Sequence, residues 1–289
     1  MKLSFTISLI LMVFINSCSP SPTVLEFDGE NAFKYAEKQV TFGPRTPGSQ
    51  AHKQTIQFIT SELKSSGWDT EIQSEDLNGY KIQNIVAKLP SETNQPWILI
   101  GAHYDSRFFA DQDLQTENHD QPVVGANDGS SGVAVLLELA RVLPKDIDKN
   151  IWFVFFDAED QGDIEGWDWI LGSRSFVNVL EGKPDSVVII DMIGDKDLNV
   201  YFERNSDQKL QEEIWKIAAD LGYEDSFIPE FKFSILDDHI PFIENNITAI
   251  DIIDFDYPYW HTTQDTLDKI SPDSLEKIGR TLYHWLLVP

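Results

Sequence analysis

Residues 151–162 read IWFVFFDAEDQG. Six apolar residues without a break lack the alternation of a strand with one wet face, and they describe a strand buried on both sides. Such strands belong to mostly parallel sheets covered by helices on both faces. The run then breaks into three carboxylates, Asp157, Glu159 and Asp160. An acidic turn is the plainer explanation in a chain with 48 Asp and Glu among 289 residues. A chemical site is the alternative, because α/β proteins assemble their chemistry outside the carboxyl ends of strands. What separates the two is whether other metal-ligand types end other apolar runs.

Working outward, WILIGAHYD (97–105), NIVAKL (84–89), VVIIDMIG (187–194) and ITAIDIID (247–254) read as further strands. Between them lie helical patterns. NAFKYAEKQV (31–40) carries Phe33, Ala36 and Val40 at helical spacing, and HKQTIQFITSELKSSG (52–67) is amphipathic, with Ile56, Ile59 and Leu63 on one face and Gly67 as its stop. SGVAVLLELARVL, DQKLQEEIWKIAADLG and SPDSLEKIGRTLYHWLL are also helical, the last capped by Ser271 or Asp273. FGPRTPGSQ (42–50) is a Pro/Gly loop that neither helix nor central strand accommodates. Strands alternate with helices, and no internal repeat or boundary interrupts the series. The expectation is a single-domain, three-layer α/β/α sandwich around a mostly parallel, mixed sheet.

A net charge of −26 and a pI near 4.4 argue against nucleic acid, which rewards basic side chains, and against polybasic docking on membranes. MKLSFTISLILMVFINSC (1–18) has one Lys followed by an apolar run from Leu3 to Ile15, the shape of an export signal. FINSC resembles a bacterial lipoprotein cleavage box, although Phe14 or Ile15 stands where Leu is usual. Cys18 is the single cysteine, so no intramolecular disulfide forms. The expected layout is a lipoprotein-type signal over 1–18, a tether over 19–28 and the catalytic domain over 29–289. The protein is then a monomeric cell-envelope lipoprotein, periplasmic or on the outer surface, that meets the membrane only through a lipid on Cys18.

The strand ends are rich in ligand types. His103 and Asp105 follow WILIGA, Asp128 precedes an apolar helix, Asp157, Glu159 and Asp160 follow WFVFF, and Asp191 follows VVII. His261 lies beyond the last strand in YWHTTQDT. Singly, each has a dull explanation: His103 a hydrogen bond in the core, Asp128 a helix cap, Asp191 a strand end. Together, imidazole and carboxylate groups at several strand ends make a good set for one or two Zn²⁺ ions where thiolates are lacking.

GAHYDS, GANDGSSGVAVLLELAR, FFDAEDQG, DMIG, LDDHIPF and YWHTTQDT, in this order, resemble the zinc aminopeptidase-like superfamily, from FGPRTPGSQAH to the C-terminal helix. In its di-zinc exopeptidases the pattern implies His103 and Asp191 on one ion, Asp160 and His261 on the other and Asp128 bridging. Glu159 would be the general base, with Asp105 orienting His103. Within the superfamily, the doubled Asp237–Asp238 before His239, Trp260 directly before His261, and Trp167 in EDQGDIEGWDWILGSRSF look more like glutaminyl-peptide cyclotransferases. The chain also lacks the inserted domains of larger peptidase relatives.

That resemblance implies one zinc held by Asp128, Asp160 and His261, with His103 keeping a second ion open. Asp160 departs from the Glu common at its position. It further implies peptide or protein N-termini as substrates and Glu159 as proton carrier, its pKa raised by Asp191 and Asp237. Trp260 and Trp167, with Phe255 or Tyr257, would wall the glutamine side chain; core packing is the plainer role for Phe255. An aminopeptidase, in which Glu159 activates a water, uses the same residues. A ligand-binding lipoprotein with a dead site fits less well, because the base and every ligand position hold competent residues.

Overall fold

The structure, a computed structural model, describes residues 25–77, 79–89 and 95–288. Cys18, the expected export signal and most of the expected tether lie outside the described residues. In chain order the elements begin with helices α1 (Gly29–Val40) and α2 (Gln50–Ser65), then strands β1 (Asp69–Leu77), β2 (Tyr80–Lys88) and β3 (Trp97–His103). Helix α3 (Ser130–Val142), β4 (Asn150–Phe156), α4 (Leu171–Asn178), β5 (Ser186–Asp191) and the short β6 (Val200–Phe202) follow. The series closes with α5 (Gln208–Asp220), β7 (Phe227–Phe231), α6 (Ile240–Glu244), β8 (Ala249–Ile253) and α7 (Pro272–Leu287).

Six strands form one sheet in the order β1-β2-β4-β3-β5-β8, and β6 pairs with β7 in a small second sheet. The pairs β3–β4, β3–β5 and β5–β8 are parallel, while β1–β2 and β2–β4 are antiparallel. The mixed, mostly parallel sheet is as the apolar runs suggest. Strand β1, DTEIQSEDL, was not legible: its apolar residues are Ile72 and Leu77 alone, and Ile72 stays exposed. It is an edge strand held by its hairpin with β2.

The opening stretch shows why an unbroken apolar run needs two covers. Phe153 and Phe155 join the larger core under α1, α2, α3, α5 and α7, where Trp68 stacks on Phe153 at 4.4 Å. Val154 and Phe156 join the opposite core, against Phe176 of α4 and Phe242 of α6. Each face therefore has a helical layer, and the three-layer sandwich forms, thick on one side and thin on the other.

The N-terminal boundary differs from expectation at residues 25–28. Phe27 is 5 % exposed and its ring lies against Gly279 of α7, where a Cβ would sit 2.0 Å from it. Asp28 caps α1 by accepting from the backbone N–H of Glu30 and Asn31, and Tyr283 donates its hydroxyl to the Leu25 carbonyl at 3.0 Å. An aromatic residue in a polar segment carries no periodicity, so burial of Phe27 left no trace in the sequence pattern. Elsewhere the ends behave as read: Ser271 caps α7 and Gly67 closes α2.

In register, His103 at the end of β3 pairs with Phe156 at the end of β4, and Asp191 at the end of β5 pairs with Ile253 of β8. The parallel strands therefore deliver their following residues to one edge of the sheet.

Candidate metal centre and pocket

Ala158 decides what the FFDAED turn does. It takes φ 52°, a left-handed conformation that costs an L-residue roughly 1–2 kcal/mol, and it splits the three carboxylates between two places. Asp157 turns into the core, 2.8 Å from His52 Nε2 on α2, and accepts the Gln83 backbone N–H at 2.7 Å. Glu159 and Asp160 face the sheet edge. His261 (φ 54°) and Met192 (φ 47°), directly after Asp191, share this unusual backbone. Strain of this kind concentrates at sites where geometry serves chemistry.

Asp128 is presented by a tight turn before α3. Gly129 takes φ +90°, and a Cβ there would come 2.6 Å from the Asp105 carbonyl, so only glycine fits. Asp128 does not cap the helix; the cap position, Gly129, offers no side-chain bond. The turn is clamped from outside by Arg45, whose buried guanidinium donates to the carbonyls of Tyr104, Val124, Gly125 and Asp128. Asp265 accepts from the backbone N–H of Asn127 at 2.9 Å and of Asp128 at 3.1 Å.

These elements bring His103, Asp128, Asp191, Asp160 and His261 together. Asp128 stands between two imidazoles. His103 Nε2 lies 3.1 Å from Asp128 Oδ1 and 3.0 Å from Asp191 Oδ1. His261 Nε2 lies 2.6 Å from Asp160 Oδ1 and 3.7 Å from Asp128 Oδ2. In each trio the candidate ligand atoms lie within 4.8 Å of one another. Each imidazole also meets a carboxylate with its other nitrogen: Asp105 faces His103 Nδ1 and Asp111 faces His261 Nδ1, both at 3.5 Å. Such partners orient metal-ligating histidines. Arg107 holds Asp111 and donates to the Asp160 carbonyl at 2.9 Å.

The donors fit a divalent ion. Asp128 Oδ2 and Asp160 Oδ2 are buried and have no hydrogen-bond partner. Buried carboxylate oxygens without donors are costly, and a cation beside His261 would satisfy both. Burial pushes the Asp160 carboxyl up to about 6, with Asp128 adding to it, and the Asp191 carboxyl up to about 7. His261 is raised to about 9: burial lowers it, and Asp160, Asp111 and Asp128 more than reverse that. Packed carboxylates thus retain positive charge on the imidazoles wherever no metal supplies it.

Glu159 is 7 % exposed, and burial pushes its carboxyl well above the usual range; Asp237, Asp160 and Asp238 add to the rise, opposed by His103. It sits in a cavity of about 240 Å³ whose acidic lining is Asp128, Glu159, Asp160, Asp191 and Asp237. The apolar wall includes Trp169, Phe233, Leu236, Phe255 and Trp260. Trp260 stacks on His261 with centroids 3.8 Å apart, and Trp169 lies parallel to the same ring at 5.9 Å.

Two aromatic expectations are corrected. Trp167 does not line the cavity; it packs with Ile82 and Ala158 and against Tyr80 and Phe108. Trp169, two residues on, takes the wall position because the chain turns through Gly162, where a Cβ would strike its ring. Phe255, for which core packing was the plainer reading, lines the cavity, while Tyr257 is buried and donates its hydroxyl to Asp265 at 2.6 Å. Arg45, Asp111 and Asp265 carried no signal as isolated residues. Arg45 and Asp265 lie within quoted motifs and Asp111 within none, and the groups that give them their roles, the Asp128 turn and His261, lie far off in the chain.

Comparison with known proteins agrees with this geometry. Residues 84–286 match Peptidase family M28. A glutaminyl cyclase from Tannerella forsythia is 36 % identical, covering 91 % of this chain and 99 % of its own, with a TM-score of 0.84. A Zn-dependent exopeptidase from Parabacteroides distasonis is 32 % identical over 92 % of this chain and 100 % of its own, with a TM-score of 0.86. Among curated relatives, the glutaminyl-peptide cyclotransferase of Bothrops jararaca is 29 % identical over 81 % of this chain and 74 % of its length. Sequence match, fold and the convergence of strand-end ligands agree that the chain belongs to peptidase family M28, on the branch that resembles glutaminyl cyclases.

Proposed function

We propose that the protein is a zinc-dependent glutaminyl-peptide cyclotransferase, converting the N-terminal glutamine of peptides to pyroglutamate with release of ammonia. The observation that carries this reading is the small cavity over Glu159, with an acidic floor and an aromatic wall. The similarity to glutaminyl cyclases supports it.

Asp128, Asp160 and His261 would hold the zinc, which when bound supplies Lewis acidity toward the amide of the substrate. Trp260, Trp169 and Phe255 exclude water and confine the glutamine side chain in a folded shape, with its α-amine near its own amide carbon. Glu159 takes a proton from the attacking amine and returns it to the departing nitrogen, so a new C–N bond forms as ammonia leaves. Its raised pKa suits both halves of that transfer. Asp237 lines the same cavity and helps to keep it poised, while Asp191 lines the cavity without acting on it directly.

Within the two trios that share Asp128, a single ion is the reading we favour. Around Asp128, the described carboxylate oxygens without partners are Asp128 Oδ2 and Asp160 Oδ2, on the His261 side. On the other side, Asp191 Oδ1 and Asp128 Oδ1 already meet His103. Hydrolysis of the first peptide bond, as in an aminopeptidase, is the competing activity. Incubation with a Gln-initiated and an Ala-initiated peptide separates them: ammonia without a freed residue supports the cyclase, whereas a freed N-terminal residue overturns it.

We further propose export and lipidation at Cys18, with a monomeric enzyme acting at the cell envelope. Support comes from the apolar run ending at the single cysteine.

A further inference from the structure

Behind the cavity floor lies a third trio of the same kind. Asp237, His239 and Asp251 bring candidate ligand atoms within 4.8 Å of one another, and none is more than 3 % exposed. Asp237 lines the catalytic cavity, His239 immediately precedes α6, and Asp251 lies midway along β8. His239 Nδ1 faces Asp251 Oδ2 at 3.9 Å, and its Nε2 faces Glu203 Oε2 at 3.2 Å. Glu203 is pinned, accepting the backbone N–H groups of Asn205, Ser206 and Ile235. An imidazole with a carboxylate behind it and two aspartates in front repeats the arrangement around His261.

The trio is also starved of partners. Neither ring nitrogen of His239, neither oxygen of Asp251, nor Oδ2 of Asp237 has a hydrogen bond. Among the described residues, the ion pairs of Lys and Arg all lie elsewhere. A proton shared by the two aspartates would satisfy one oxygen of each and, with Nε2 facing Glu203, still leave His239 Nδ1 without a partner. One divalent ion meets all three side chains together.

We propose that Asp237, His239 and Asp251 bind a second divalent metal ion, of the first transition row, behind the catalytic pocket. The nitrogen donor favours such an ion over Ca²⁺ or Mg²⁺, and the lack of thiolate disfavours softer ones. The ion enters past Asp237 and, once bound, fixes the orientation of that carboxylate beside Glu159. This site is separate from the pair of trios around Asp128 and does not depend on which reaction the enzyme performs.

Crystals of the wild-type protein, freed of metal and soaked in Mn²⁺ alone, test it by anomalous diffraction on either side of the manganese edge. The expected result is an anomalous peak between His239 Nδ1 and the Asp251 carboxylate. Manganese confined to the Asp128–Asp160–His261 region, or absent near His239, overturns the proposal. In solution, wild-type protein reloaded with Mn²⁺ should hold one more equivalent than Asp251→Asn, while His261→Ala loses a different one. Equal manganese content in wild type and a folded Asp251→Asn would likewise overturn it. Should Asp251→Asn not fold, the wild-type soak decides.

Discussion

Asp105 Oδ1 accepts the backbone N–H of Glu159 at 3.1 Å, so the end of β3 positions the proton carrier that follows β4. Asp105 also faces His103 and accepts the Gln161 amide at 2.9 Å. One buried carboxylate thereby couples the candidate ligand His103 on β3 to the base and to the turn after β4 that carries it. Asp105→Asn replaces an acceptor with a donor or removes its charge. It should cost 10–100-fold in activity or metal affinity, the scale for partners of ligands. Loss should fall on kcat more than KM, since Asp105 is not among the residues that line the cavity. Wild-type kcat in this variant would show that the strand-end coupling has no catalytic consequence.

Glu159 and Asp160 are neighbours with different duties, and their isosteric amides should fail differently. Glu159→Gln keeps shape but accepts no proton; it should retain zinc and lose turnover by on the order of a hundredfold or more. Asp160→Asn removes a negative ligand, so zinc affinity should drop, with activity partly restored by added zinc. Metal content measured alongside kcat distinguishes the two, and near-normal turnover in Glu159→Gln would remove the mechanism.

Chelation gives a coarser check. Exhaustive removal of metal should abolish cyclisation and zinc should restore it, because no other Lewis acid is at hand near Asp128, Asp160 and His261. Full activity without metal would contradict the whole constellation.

The two tryptophans of EGWDW should separate cleanly. Trp169→Ala opens the wall beside His261, so KM for Gln-initiated peptides should rise about tenfold or more with modest loss of stability. Trp167→Ala empties a packed cluster instead and should cost about 3 kcal/mol or more in unfolding free energy, read as a lower denaturant midpoint. The reverse pattern would mean that the wall has been assigned to the wrong ring.

Arg45→Met tests the clamp on the Asp128 turn. Losing its donors strands four carbonyls, three of them buried, so unfolding free energy should fall by about 3 kcal/mol or more, and zinc should bind more weakly. Denaturant unfolding and metal titration of the same preparation check both. At the other end of the chain, Cys18→Ala should move the protein from the membrane fraction to the soluble one, or block maturation.

Much of this molecule is written in local patterns. The unbroken run 151–156, the helical spacing of 52–67 and the ligand types after each strand required no tertiary knowledge, because burial on both faces and helical periodicity are properties of contiguous residues. They were enough for the α/β/α layers and for the grouping of His103, Asp128, Glu159, Asp160, Asp191 and His261. Other features depend on which distant segments meet. Asp157 leaves the site because Ala158 adopts a left-handed turn and His52, on a different helix, is there to receive it. Trp169 rather than Trp167 faces the cavity because Gly162 leaves room for its ring, and Phe27 is buried because Gly279 leaves room on α7. These outcomes are decided by side-chain volume and by backbone dihedrals set across long loops, and neither has a period that a sequence can display.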